Sequence, residues 1–285
     1  PIAVLSFPVS SVDTGNDNTA IGAQALKDFD YNGSGYNTAV GRRAGYVVST
    51  GLRNTLIGAL SADALTTGSD NVTLGYQALT TANTDESKNV AIGTYALNVM
   101  DNGSTTNTYN TAVGYYSGVA VTTGIQNTLI GGLAGDAITT GGNNIVIGYN
   151  AAASAVDVDN EITLGDSNIS AFRCNDQSIA ALSDGRDKSN VKDSEFGLDF
   201  IDSIRPVEFT WDYRPENMGV KQGKKAVGFI AQELQEAMPN GENEILDLVY
   251  DINENRIEAK YGNLVPILVK AVQELSAKVK MLENK

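Results

Sequence analysis

One phrase, an asparagine followed by three residues and a glycine, occurs eight times: Asn18–Gly22, Asn37–Gly41, Asn54–Gly58, Asn71–Gly75, Asn89–Gly93, Asn110–Gly114, Asn127–Gly131 and Asn144–Gly148. A degenerate ninth copy is Ile162–Gly165. Successive glycines are separated by 19, 17, 17, 18, 21, 17, 17 and 17 residues. So short and steady a period admits a stack of similar coils, and residues 18–165 are expected to form a parallel β-solenoid or β-roll of about 17 residues per coil. The residues one and three before the glycine (Val72 and Leu74, Val90 and Ile92, Ile145 and Ile147) are aliphatic or β-branched around a variable one. That period-two alternation reads as a short strand with one face inward. Three residues after the first eight glycines stand Ala25, Ala44, Ser61, Ala78, Ala96, Ser117, Ala134 and Ala151, which mark an inner corner where nothing larger fits. The glycine is expected to make a tight turn, and the asparagine to tolerate turn geometry and bond locally. Tyr36–Leu79 matches Tyr109–Ala152 at an offset of 73, the mark of a duplicated multi-coil unit.

Composition divides the chain in two. Residues 1–182 hold six Lys and Arg against fifteen Asp and Glu, a net of −9; residues 183–285 hold fourteen against nineteen, a net of −5 in a much shorter stretch. The first part is rich in Gly, Asn, Thr and Ala, whereas the second has an ordinary globular composition. An overall charge of −14 with no basic stripe disfavours nucleic-acid binding. With one cysteine, Cys174, and no histidine, neither an intrachain disulfide nor a Cys/His zinc site can form, and no metal or other cofactor is expected. No apolar run is long enough to span a membrane as a helix, and no signal peptide is visible. The chain starts at Pro1 and reads as a fragment of something longer.

A coil of 17 residues with few large side chains buries little apolar area, so three chains sharing an axis are expected. The repeat resembles the left-handed β-roll of trimeric autotransporter adhesin heads, with Asn-Thr-x-Ile-Gly where those often begin with serine. The β-barrel anchor that ends those adhesins is not seen, so the resemblance is to the repeat alone. Tyr76 and Tyr149 are candidates for a carbohydrate-stacking ladder, the alternative being a plain surface covering. Asp63 and Asp136 occupy duplicate positions and are candidate glycosidase carboxylates, with solvated turn aspartates as the alternative.

After Leu182 the texture changes. A helix is expected over 195–204, strands over 205–211 and 227–230, and a helix over 231–238 stopped by Pro239. Ile245–Ile252 and Arg256–Tyr261 flank Asn253-Glu254-Asn255 as a hairpin. From Leu264 the last helix carries Leu268, Val272, Leu275, Val279 and Leu282, an a/d seam that reads as a parallel trimeric coiled coil or an amphipathic core helix. The expected division is a lead-in over 1–17, the solenoid over 18–165, a connector over 166–182, a small α+β domain over 183–262 and the terminal helix over 263–285.

With no histidine, Ser-His-Asp catalysis is excluded, and a Ser-Lys pair is the nucleophilic arrangement left. Ser183 stands five residues before Lys188 at the seam between the two parts. Ser183-Asp184-x-Arg186-x-Lys188, Arg205-Pro206-Val207-x-Phe209-x-Trp211, Gly228-Phe229-Ile230-Ala231-Gln232-Glu233 and Gln273-Glu274-Leu275 resemble the carboxy-terminal intramolecular chaperone of phage tail spikes and fibres, the S74 peptidase family. The resemblance implies a homotrimer assembled in a host cytoplasm into a virion. It also implies self-cleavage between Leu182 and Ser183, with Ser183 as nucleophile and Lys188 as base. Host-surface polysaccharide or a protein receptor is the implied external partner. Burial at a subunit interface, or Arg186 nearby, would free the lysine to accept a proton, whereas Asp184 and Asp187 would oppose this unless directed to Arg186. The alternatives are a polar turn with Ser183 capping a helix, and a structural or adhesive trimer that keeps its carboxy-terminal domain uncut.

Overall fold

Nine strands of three residues stack in chain order: β1 (Thr19–Ile21), β2 (Thr38–Val40), β3 (Thr55–Ile57), β4 (Val72–Leu74), β5 (Val90–Ile92), β6 (Thr111–Val113), β7 (Thr128–Ile130), β8 (Ile145–Ile147) and β9 (Ile162–Leu164). All pairings are parallel and in register, Thr55 on Val72 and Thr111 on Thr128, so the coils form a parallel β-solenoid. The computed structural model describes residues 17–82, 85–103, 107–175, 180–214, 221–238 and 241–285. Apart from Asp17, the expected lead-in over 1–17 lies outside them. The chain divides into two units, Pro1–Asp166 and Ser167–Lys285.

Within the first unit the alternation holds, and the structure decides which face turns inward. The variable middle residue of each strand is the inward one: Ala39, Leu56, Thr73, Ala91, Ala112, Leu129 and Val146 have no exposed surface. The aliphatic or β-branched neighbours form the outer columns, among them Val72, Leu74, Ile130, Ile145 and Ile147, each more than a third exposed. The physical reason is volume. The interior is a narrow slot already lined by the small corner residues, Ala25 through Ala151, all of them buried as expected. Successive middle residues therefore trade size against their neighbours, while the outer column is free to stay large.

The asparagines are also used differently from the local bonding expected of them. Seven of them, Asn37, Asn54, Asn71, Asn89, Asn110, Asn127 and Asn144, are buried and form a ladder along the stack. The Oδ1 of Asn54 accepts from the backbone N of Asn71 at 3.0 Å, that of Asn71 from Asn89 N at 2.9 Å, and that of Asn127 from Asn144 N at 3.0 Å. Their Nδ2 groups donate to carbonyls on the far side of the coil, as Asn54 does to Gly68 at 2.8 Å. Each amide thus satisfies buried backbone groups of two coils. Glu161 takes the asparagine position in the last coil, where its N bonds Asn144 Oδ1 at 2.9 Å. The glycine column is forced by close approach as well as by turning. Gly41 has φ +139°, and a Cβ there would meet the carbonyl oxygen of Gly58 at 2.5 Å.

The second unit contains helix α1 (Leu198–Ser203), the antiparallel pair β10 (Val207–Thr210) and β11 (Lys225–Gly228), and helix α2 (Ala231–Glu236). Helix α3 (Asn243–Leu246), the pair β12 (Val249–Tyr250) and β13 (Glu258–Ala259), and helix α4 (Leu264–Glu283) complete it. This is the small α+β region followed by a long terminal helix that the sequence implies. The helix expected from 195 starts only at Leu198, and the stop assigned to Pro239 lies outside the described residues. The hairpin strand expected from Ile245 is a helix in its first part. Asn243 Oδ1 accepts from both Leu248 N and Val249 N at 3.1 Å, which folds the chain back and buries Leu246, leaving two residues for β12. The core comprises Leu234, Met238, Leu246, Leu248, Val249, Leu264 and Ile267.

Helix α4 packs through Leu264, Ile267 and Ala271, not through the a/d seam. Leu268, Val272, Leu275, Val279 and Leu282 are all between 44% and 68% exposed. The reading of that seam as the domain's own core stripe is therefore corrected: the helix has a second apolar face, turned away from the core.

Candidate active site

Ser183 and Lys188 are brought together by one tight turn. Asp184 has extended backbone (φ −68°, ψ 129°), and its Oδ1 accepts from Arg186 N at 2.9 Å, capping a 3-10 turn over Gly185–Asp187. Asp187 N and Lys188 N donate back to the carbonyls of Asp184 and Gly185 at 3.2 and 3.3 Å. The reversal returns the Lys188 side chain to the start of the turn, with Nζ 2.5 Å from Ser183 Oγ and 3.5 Å from the Ser183 carbonyl oxygen. The reading in which Ser183 caps a helix is corrected, since Asp184 is the cap.

The two supporting residues engage each other. The Arg186 guanidinium meets the Asp184 carboxylate with Nη2 at 2.5 Å from Oδ2 and Nε at 3.0 Å from Oδ1. Beside that guanidinium the Asp184 carboxyl is held below the usual carboxylate range, and the pairing pushes Arg186 up. The charge of Arg186 is thereby neutralised locally, and one of the two carboxylates flanking Lys188 is directed away from it. Arg186 therefore does not supply the bare cation expected to loosen the lysine proton. Ser183, Lys188 and Asp187 are exposed, and Leu182, whose carbonyl precedes the serine, is fully exposed.

The other motifs lie within the unit's framework. Arg205 pairs with Glu233. Phe209 meets Trp211 edge-on, with centroids 5.1 Å apart. Phe229 N donates to Tyr261 Oη at 3.1 Å. Glu274 on α4 caps α1, its Oε2 accepting from Leu198 N at 2.8 Å; a Cβ at Gly197 would meet that same oxygen at 2.5 Å. These residues build and orient elements. The Ser183–Lys188 pair stands outside them.

Asp63 is half-buried 3.7 Å from Arg43, and its burial pushes the carboxyl up against the opposing pull of that arginine. Asp136 lies four coils further on, roughly 19 Å away at about 4.8 Å per strand, too far for the two to act as a carboxylate pair. Tyr76, picked out from sequence, belongs to a larger aromatic group. Its ring meets Tyr95 at 5.5 Å, Tyr95 meets Tyr116 at 4.9 Å, and Tyr116 meets Tyr115 at 4.4 Å. Sequence reasoning missed Tyr95 and Tyr116 because they stand one place later in their coils. Tyr149 is the most exposed, at 72%.

Among the described residues no helix is long and apolar enough to cross a membrane. Residues 183–241 match the family model for peptidase S74, described as the chaperone of endosialidase. Comparison with curated proteins and with solved structures gave no match. A chaperone segment of this type behind a β-solenoid supports a tail-fibre-like protein.

Proposed function

We propose that the chain is a piece of a homotrimeric phage tail fibre or spike whose carboxy-terminal unit aligns three copies and then cuts itself free between Leu182 and Ser183. The observation that carries this reading is the contact between Ser183 Oγ and Lys188 Nζ at 2.5 Å, inside the segment matched to the chaperone family. In the proposed reaction Lys188, as the free amine, takes the Oγ proton while Oγ attacks the Leu182 carbonyl carbon. The peptide C–N bond breaks, the proton passes to the departing Ser183 nitrogen, and an ester joins Leu182 to Ser183 Oγ. Water then hydrolyses the ester, leaving a carboxylate on Leu182 and restoring the hydroxyl. The reaction runs once per chain.

Exposure of both residues in a single chain gives the reaction its trigger. A lysine becomes an effective base when its ammonium is desolvated, and packing against neighbouring copies would do that. Two surfaces suit such packing: the aliphatic outer column of the solenoid and the bare seam of α4. In the virion, the solenoid would be the part left to meet the host surface. The same exposure is the observation favouring the second reading, a trimer that keeps its carboxy-terminal unit uncut.

Mass spectrometry of freshly expressed protein separates the two. A fragment beginning Ser-Asp-Gly-Arg is expected, together with an intact trimer from Ser183→Ala and from Lys188→Ala. Only the whole 30.1 kDa chain in the wild type supports the uncut trimer, and normal cutting by Lys188→Ala removes the lysine from the mechanism.

A further inference from the structure

The bare seam of α4 is flanked by charge at one end only. Lettered as a heptad, Leu268, Leu275 and Leu282 take position d, while Val265, Val272 and Val279 take position a. The flanking columns are then g (Leu264, Ala271 and Lys278) and e (Val269, Ser276 and Glu283). Leu264 and Ala271 are buried in the unit's own core, whereas Lys278 and Glu283 are exposed. Lys270 and Glu274, further up the helix, pair with each other at 3.8 Å. Among the described residues Lys278 and Glu283 have no such partner. Nor can they serve each other, since five residues along one helix stand about 140° apart around its axis.

Those two charges select what covers the seam. A parallel neighbour in the same register lays its e column beside this g column, displaced by five residues. Lys278 then meets the neighbouring copy's Glu283, and every copy gives one cation and receives one carboxylate. An antiparallel neighbour sets g against g and e against e, so Lys278 meets leucine or alanine and Glu283 meets valine or serine. A parallel neighbour slipped by one heptad sets Lys278 against Ser276, or Glu283 against Ala271. Val269, 52% exposed at e, widens the apolar strip beyond the two columns that a pair of helices covers, as packing of three requires.

We propose that this face of α4 takes two further copies of the same chain in parallel, and that Lys278 of each copy bonds Glu283 of the next, a ring of three ion pairs that fixes orientation and register. This rests on the reading that the copies assemble through the carboxy-terminal unit, and adds which way the helices run and what stops them slipping. Each exposed pair contributes little by itself; the effect lies in discrimination, because reversing one charge turns three contacts repulsive at once.

The test uses the full chain carrying Ser183→Ala, with trimer dissociation in urea followed by light scattering. At about 10 mM salt, where charges reach about 30 Å, Lys278→Glu and Glu283→Lys should each lower the midpoint by roughly 0.3 M. The double exchange should return it to the parent's value. Lys280→Glu makes the same change of charge at an outward position and should melt like the parent. At about 1 M NaCl, where screening shortens that reach to about 3 Å, all of these chains should dissociate together. The ring is overturned if the parent is a trimer and either single reversal leaves the midpoint unmoved, or if the double exchange stays as weak as the singles. It is likewise overturned if Lys280→Glu loses as much as Lys278→Glu, or if the differences persist in high salt. A parent that sediments as a monomer removes the assembly reading and the ring together.

Discussion

At the scale of single residues, the Ser183–Lys188 contact and the asparagine ladder both depend on one side chain serving two places. Asp184 does the same, capping the 3-10 turn through its carboxylate while holding Arg186. Asp184→Asn keeps a capping oxygen but leaves the guanidinium unneutralised. Releasing Arg186 loosens the turn that brings Lys188 to Ser183, so self-cleavage should slow. Following fragment release by gel checks this, and an unchanged rate counts against it. In the ladder, Asn71 accepts from Asn89 N and donates to the Glu86 carbonyl at 2.9 and 2.8 Å, both buried. Asn71→Ala orphans these two groups and should cost about 2–5 kcal/mol, read from the denaturant midpoint of a chain carrying Ser183→Ala. Reading the sequence assigned such asparagines to local turn bonds because their spacing of 17 residues speaks of period but not of which side chain reaches across it.

At the scale of elements, α4 has two apolar faces, one packed on the core and one bare. Ile267 is 4% exposed in the core and Leu275 is 50% exposed on the bare seam. Ile267→Ala should therefore cost about 2–5 kcal/mol in the stability of the unit itself. Leu275→Asp should leave that unit folded, as judged by circular dichroism, yet abolish the trimer in sedimentation and, with it, cleavage. A Leu275→Asp protein that still sediments as a trimer would remove α4 from the interface. The strands were legible because a fixed period and a β-branched alternation are written in every coil. Their facing was not, because the residues with the strongest apolar character, such as Ile145 and Ile147, line the outside, while small and mixed ones, Ala91 and Thr73, fill the inside. In α3, a four-residue helix, the apolar run Ile245-Leu246 looked like strand because the deciding bonds come from one asparagine side chain, Asn243. The Ser-Lys pair could be picked out by its types and spacing, but its surroundings could not, since the turn that closes it rests on a carboxylate whose partner had to be seen.

At the scale of the whole molecule, the strands of one chain expose aliphatic residues such as Leu74, Ile130 and Ile147, which three copies closing on one axis, as proposed, would cover. Nearly identical coils invite a slip by one period, and under the proposed assembly a register set at one end before the coils wind would prevent it. If that end is cut away as proposed, persistence of the solenoid becomes a matter of rate. After complete unfolding in guanidinium and dilution, the chain carrying Ser183→Ala should therefore regain its trimer, whereas the cut wild-type solenoid should not. Equal recovery of the two would show that the carboxy-terminal unit does not set the register.

The ladder of amides tolerates coils of unequal size. Between Gly75 and Gly114 the period stretches to 18 and then 21 residues, yet Asn89 and Asn110 still clasp their neighbours at 2.9 and 3.0 Å. The rail of side-chain amides is unbroken across both longer coils. Reach can therefore be edited by whole rungs: copying the 73 residues that separate Tyr36 from Tyr109 adds four, roughly 19 Å, and disturbs neither terminus. A stack held by one repeated side chain can thus gain or lose whole rungs without altering the chemistry of any other.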